Sequence, residues 1–201
     1  EWTLRNGARI LVKPTTFKAD EIRMTSYSAG GLSILSDEEY YTGKLLESVI
    51  SFSGLGNFSA MDLSKALTGK VASSALSINE YSVGVGGGCS PQDLETMLQL
   101  VYLNFMQPRF NEDDFNRMMT LLRAQLENAK ANPDYEMQER FLKLVYSDHF
   151  RRQIITPEML EDVKFASFPE LHHKLFPGAK GFTFIFVGNI DLDVLKPLVE
   201  K

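Results

Sequence analysis

The sequence predicts an α+β fold: a two-layer sandwich in which helices cover one mixed, mostly antiparallel sheet. Three observations carry this. Two pairs of strand-like segments are joined by turns too short for anything but antiparallel neighbours, at Asn6-Gly7 and at Asn79-Glu80. Long stretches of helical periodicity separate the strand groups. A near-continuous apolar run at residues 182–187 has strand length and reads as a central strand.

In order, residues 2–4 and 8–12 form the first hairpin, with Asn6-Gly7 expected in a type I′ turn. Residues 22–28 make a third strand, stopped by Gly30-Gly31. Ser36 with Glu39 fits a capping box that opens a helix to about Phe52, its apolar face being Leu45, Leu46, Val49 and Ile50, with Gly54 ending it. A short helix at 59–67 closes at Gly69, and 71–78 with 81–88 form the second hairpin. Ser90-Pro91 starts a helix through Leu94, Met97, Leu98, Val101 and Phe105, and Pro108 breaks it. The acidic Glu112-Asp113-Asp114 suits the positive end of the next helix, with Phe115, Met118, Met119, Leu122 and Leu126 as its buried stripe. Asn132-Pro133-Asp134 begins another, with Met137, Phe141, Leu144 and Val145 expected inward. After Thr156-Pro157 comes a short helical stretch, and Ser167 with Glu170 is a further capping box before 171–176. Asp191 caps a last helix that the pattern carries to Lys201; with Glu1 in place of Met, the ends read as those of a piece cut from a longer polypeptide. No repeat or linker divides the chain, so residues 1–201 are expected to be a single domain.

Composition excludes several classes. The formal charge is −5, from 21 basic and 26 acidic residues spread along the chain, so no basic face is expected for nucleic acid. Hydrophobic residues at 44% and charged ones at 23% rule out intrinsic disorder. No apolar run is long enough for membrane insertion. One cysteine, Cys89, cannot form an internal disulfide.

Little in the residues alone announces chemistry. Gly84-Val85-Gly86-Gly87-Gly88-Cys89 follows a strand and precedes a helix, but its third motif glycine is Cys89, so a flexible or closely packed strand end is favoured over a dinucleotide loop. Thr68-Gly69-Lys70 lacks the upstream glycine of a phosphate loop. His172 and His173 are helix neighbours about 100° apart, unable to share a metal, and His149 lies in a loop; all three are expected at the surface. Cys89 would act as a nucleophile only if a histidine approached it in space.

The chain as a whole resembles the insulinase/pitrilysin zinc peptidases, the inverzincins. Residues 2–12, with Leu4, Asn6 and Gly7, look like that family's domain-opening strand, and residues 182–191, ending in Val187-Gly188-Asn189-Ile190-Asp191, look like its closing signature. Leu55-Gly56-Asn57-Phe58-Ser59 and Ser90-Pro91-Gln92-Asp93 fall in the expected order between them. The resemblance implies the fold of a mitochondrial-processing-peptidase/LuxS-like metallohydrolase domain. The family binds zinc through H-x-x-E-H on the first long helix and a glutamate on a later one. By resemblance these positions are Lys44, Glu47 and Ser48 on the first helix and Gln125 on the later one, with Glu127 two residues on. Both imidazoles are missing, and Gln125 replaces the carboxylate.

The resemblance therefore implies a non-catalytic domain, the third of four in the longer peptidases, that helps enclose a peptide chamber. No catalytic residue, metal ligand or cofactor is expected in this chain, and zinc is expected in the parent's N-terminal domain. Its expected partners are other domains of the same polypeptide and the parent's peptide substrate, in a bacterial periplasm or cell envelope. The alternatives are a peptidase-like scaffold module without proteolytic parent activity, and an autonomous enzyme using Cys89 or a serine.

Overall fold

A computed structural model describes residues 1–200. Six strands, β1 (Trp2–Thr3), β2 (Arg9–Pro14), β3 (Ile22–Ala29), β4 (Ala72–Ile78), β5 (Ser82–Cys89) and β6 (Thr183–Gly188), form one sheet in the order β1-β2-β6-β3-β5-β4. Only β2 and β6 are parallel; every other pair is antiparallel. The helices are α1 (Asp37–Ser53), α2 (Ala60–Ala66), α3 (Leu94–Met106), α4 (Glu112–Lys130), α5 (Pro133–Tyr146), α6 (Phe168–Leu175) and α7 (Leu192–Val199). This is the expected α+β sandwich, with strands and helices in the expected order and residues 182–187 supplying the central strand. The expectation that the last helix runs on to Lys201 falls outside the described residues.

Strand alternation sorts the two faces. On β3, Ile22, Met24 and Ser26 are buried, while Arg23, Thr25 and Tyr27 are exposed. The buried face shares one core with Leu46 and Val49 of α1, Met97 of α3, and Phe168 and Leu171 of α6, which packs on α1, all almost fully excluded from solvent. A cluster of rings, Phe105, Phe176, Phe182 and Phe184, closes one end of this core, the Phe105 and Phe182 centroids 4.9 Å apart. The opposite face of the sheet is open, a trough of about 1090 Å³ floored by Thr25, Ser73, Ala75, Gly86, Gly88 and Ile185.

Local chemistry sets the junctions. Ser36 and Glu39 form the capping box of α1: the Glu39 N–H donates to Ser36 Oγ at 3.4 Å and the Ser36 N–H to Glu39 Oε2 at 2.8 Å. Asn111, Asn132 and Asp191 each accept a backbone N–H at the starts of α4, α5 and α7. Between the Thr25–Gly86 and Ser28–Val83 pairs, the hydroxyl of Ser26 takes both main-chain groups of Val85, accepting from N at 2.8 Å and donating to O at 3.0 Å. The backbones approach so closely there that a Cβ on Gly84 would lie 2.0 Å from the Ser26 carbonyl oxygen. The glycine run is thus strand β5 itself, closely packed.

Four local expectations are corrected. The first turn is not type I′: Gly7 alone has positive φ, +88°, the Gly7 N–H donates to the Leu4 carbonyl and the Leu4 N–H to the Ala8 carbonyl. This is a type I turn with a glycine bulge, one residue longer. Ser90 does not cap with its side chain; its hydroxyl donates to Asp93 Oδ2 at 2.8 Å, and a 3-10 turn at Pro91–Asp93 precedes α3. Ser167 already has helical dihedrals at the end of another 3-10 turn, so it makes no capping bond to α6. Finally, Met137, Phe141, Leu144 and Val145 point outward, at 67, 60, 83 and 52% exposure. α5 rests on the molecule through its other side, where Tyr135, Glu139 and Leu142 are half-buried. Periodicity located the stripe on one face but not the surface that would cover it.

Candidate functional site

α1 presents two faces. Thr42, Leu45, Leu46, Val49 and Ile50 are buried in the core, and the i, i+3, i+4 set Lys44, Glu47 and Ser48 is exposed on the other side. α4 is held against α1 by Arg109, whose Nη1 donates to the Ser53 carbonyl at 2.6 Å and to Asp114 Oδ2 at 2.9 Å. Gln125 is exposed on α4, and among the described residues no hydrogen bond or ion pair joins it to Lys44, Glu47 or Ser48. The structure thus places three of the four motif positions on one helix face and the fourth on a helix packed beside it.

A cleft borders this face at one end. About 490 Å³ in volume, it is lined by Glu47 with Ser51, Leu55, Leu63, Leu67, Leu76 of the edge strand β4, and Asn104. At the other end the Lys44 ammonium lies 5.8 Å from the Tyr40 ring centre, where desolvation lowers its pKa and Glu80 opposes the shift. Tyr40 donates to Glu80 Oε2 at 3.1 Å or the Arg151 carbonyl at 2.9 Å, and burial, reinforced by Glu80, pushes its phenol up to about 12. Arg151 is fixed by Asp37 at 2.6 Å and by the Leu35 carbonyl at 2.9 Å.

The donor set does not suit zinc. A lysine ammonium has no lone pair to give, and serine hydroxyl and glutamine amide are neutral oxygen donors, far from the imidazole and carboxylate that zinc takes. Glu47 is the one ligand-type side chain of the four, and among the described residues no group of three His, Cys, Asp or Glu is placed to hold a metal ion.

Of two other candidates, His172 departs from expectation. His172 is not at the surface but 5% exposed, its Nε2 2.9 Å from the Asn104 carbonyl oxygen and its ring stacked on Phe176. The sequence signal for its burial was its place one residue after Leu171 on a helix whose buried positions are Phe168, Leu171, His172 and Leu175. Cys89 is buried in the sheet, and burial, with Asp93 adding to it, pushes its thiol up to about 11, which suppresses the thiolate a nucleophile needs.

No protein-family model matches the chain. A curated relative, a "Zinc protease PQQL-like" protein of Arabidopsis thaliana, is 25% identical over 202 residues, which is 99% of this chain and 18% of the relative. Among solved structures, the periplasmic protease PqqL of Escherichia coli superposes with a TM-score of 0.81 at 18% identity, covering 98% of this chain and 22% of that one. A peptidase M16 inactive domain from Pseudomonas fluorescens gives 0.79 at 15% identity, over 99% of this chain and 48% of that one. The chain has the fold of an M16 peptidase domain. The family resemblance read from the sequence is borne out, and relatives occur in a plant as well as in bacteria. The chain spans about a fifth of the plant relative and of the E. coli protease. No described helix is long and apolar enough to cross a membrane.

Proposed function

We propose that this chain is a non-catalytic domain of a zinc metallopeptidase, one that walls the chamber in which peptides are cleaved while zinc is held by another domain. The observation that carries the reading is the exposed face of α1. By the family resemblance Lys44, Glu47 and Ser48 stand at the H-x-x-E-H positions and Gln125 at that of the later carboxylate, and the first three share one exposed face of α1. Such a domain would be the third of four and would work in a periplasm or cell envelope, as the periplasmic protease of E. coli does.

Metal analysis of the purified 201-residue chain, paired with a peptide-cleavage assay, tests this. The expected result is no stoichiometric zinc and no cleavage. One zinc per chain, removed by chelator with loss of a cleavage activity, would sink the reading. A parent polypeptide with no H-x-x-E-H anywhere in it would favour a scaffold module instead.

A further inference from the structure

None of the 14 residues of α5 is buried, although the helix is strongly two-sided. Met137, Phe141, Leu144 and Val145 follow i, i+4, i+7, i+8 spacing and form one stripe roughly 12 Å long, at ~1.5 Å per residue. Glu139 and Leu142, on the opposite side, face Ile154, Thr156 and Met159 of the segment before α6. Single exposed apolar side chains are ordinary on a protein surface. Four in register on the outward face of a packed helix are an interaction surface.

We propose that this stripe seats a neighbouring domain of the same longer polypeptide, an inference that rests on reading the chain as one domain of an M16-type peptidase. Two arguments choose this occupant. The chain matches only 18% and 22% of the lengths of two proteins it resembles, so a neighbour on the same polypeptide is at hand in such proteins. Size argues against a second copy. A self-paired stripe of about two turns buries far less than the ~1,200 Å² of a stable interface, whereas a tethered domain, at effective concentrations near millimolar, is held by a smaller contact. The flanking charges are also satisfied within the helix, Glu136 with Arg140 and Glu139 with Lys143 at 3.0 Å, leaving a neutral apolar strip suited to an apolar surface.

The test uses the full-length polypeptide that contains this chain. Leu144→Cys, at a side chain 83% exposed here, should fold normally. Its maleimide labelling in the folded polypeptide should be at least about ten-fold slower than after denaturation, independent of protein concentration. A photo-crosslinking side chain at the same position should join a peptide of the same polypeptide lying outside residues 1–201. Labelling at the denatured rate would overturn the proposal, as would protection that fades on dilution or crosslinks to a second copy. Zinc found on the α1 face would overturn the functional reading and leave this labelling result unchanged.

Discussion

His172 Nε2 lies 2.9 Å from the main-chain carbonyl oxygen of Asn104, so the ring pins α6 to α3 from inside the core. Burial is the largest influence on it and holds its pKa below the ordinary 6.5. The unfolded chain therefore takes up a proton more readily than the folded one. Stability conferred by the neutral ring is complete above about pH 6.5 and declines as pH falls through the depressed folded value. Urea unfolding at pH 7.5 and 5.5 should show a loss of stability that His172→Gln removes. An equal loss in both proteins would assign it to other groups. His172→Ala should cost about 3 kcal/mol through the cavity and the unpaired carbonyl.

The glycines of β5 should differ sharply in tolerance. Ala at Gly84 would place its Cβ against the Ser26 carbonyl, on backbone that cannot yield, whereas at Gly86 the nearest atom is 3.9 Å away. Gly84→Ala should lose more than about 2 kcal/mol, and Gly86→Ala should stay within ~0.5 kcal/mol of the parent. Chemical denaturation of the two single variants reads both.

Asp93 ties the start of β4 to that of α3. Its Oδ2 accepts from the Val71 N–H at 2.9 Å and from the Ser90 hydroxyl at 2.8 Å, with Lys70 beside it. These contacts, the Val71 N–H first, hold its pKa below the ordinary carboxylate value. Its contribution is present above that ordinary value and is lost as pH falls through the folded one. Asp93→Asn should lower the urea midpoint at pH 7 and flatten the acid limb of the stability profile. An unchanged midpoint would show that the junction does not depend on this carboxylate.

If the four positions on α1 and α4 are a zinc site stripped of its ligands, restoring them should restore binding. Lys44→His, Ser48→His and Gln125→Glu together should take up about one zinc per chain by calorimetry. All three replaced side chains are exposed, so the fold should survive. No uptake by a folded triple variant would mean that Gln125 is not the fourth position.

Cys89 should react slowly with a thiol reagent at pH 8 in the folded chain and quickly in guanidinium, given its burial and a pKa pushed up to about 11. Fast native labelling would revive the nucleophile reading.

The sequence made the framework legible because strands and helices here differ in apolar period, and Ser36, Asn132 and Asp191 mark helix starts by local capping chemistry. Features that depend on distant partners were not legible. His172 is read as polar until Asn104, 68 residues away, is seen to accept it. The α5 stripe has the pattern of a core helix, and only the fold shows that its packed side is the other one. The candidate site was legible through family likeness alone, because lysine, glutamate and serine on a helix carry no signature of their own.

The parallel pairing of β2 with β6 has a consequence for the order of assembly. Arg9 pairs with Thr183, 174 positions along the chain, and β6 also forms the other neighbour of β3. Until residues 183–188 emerge during synthesis, the first hairpin has no sheet to join and β3 has an unpaired flank. The last-made strand of this sheet is thus the keystone, and until it is made the nascent domain carries an open sheet edge, the state in which chaperones or strand mispairing would meet it.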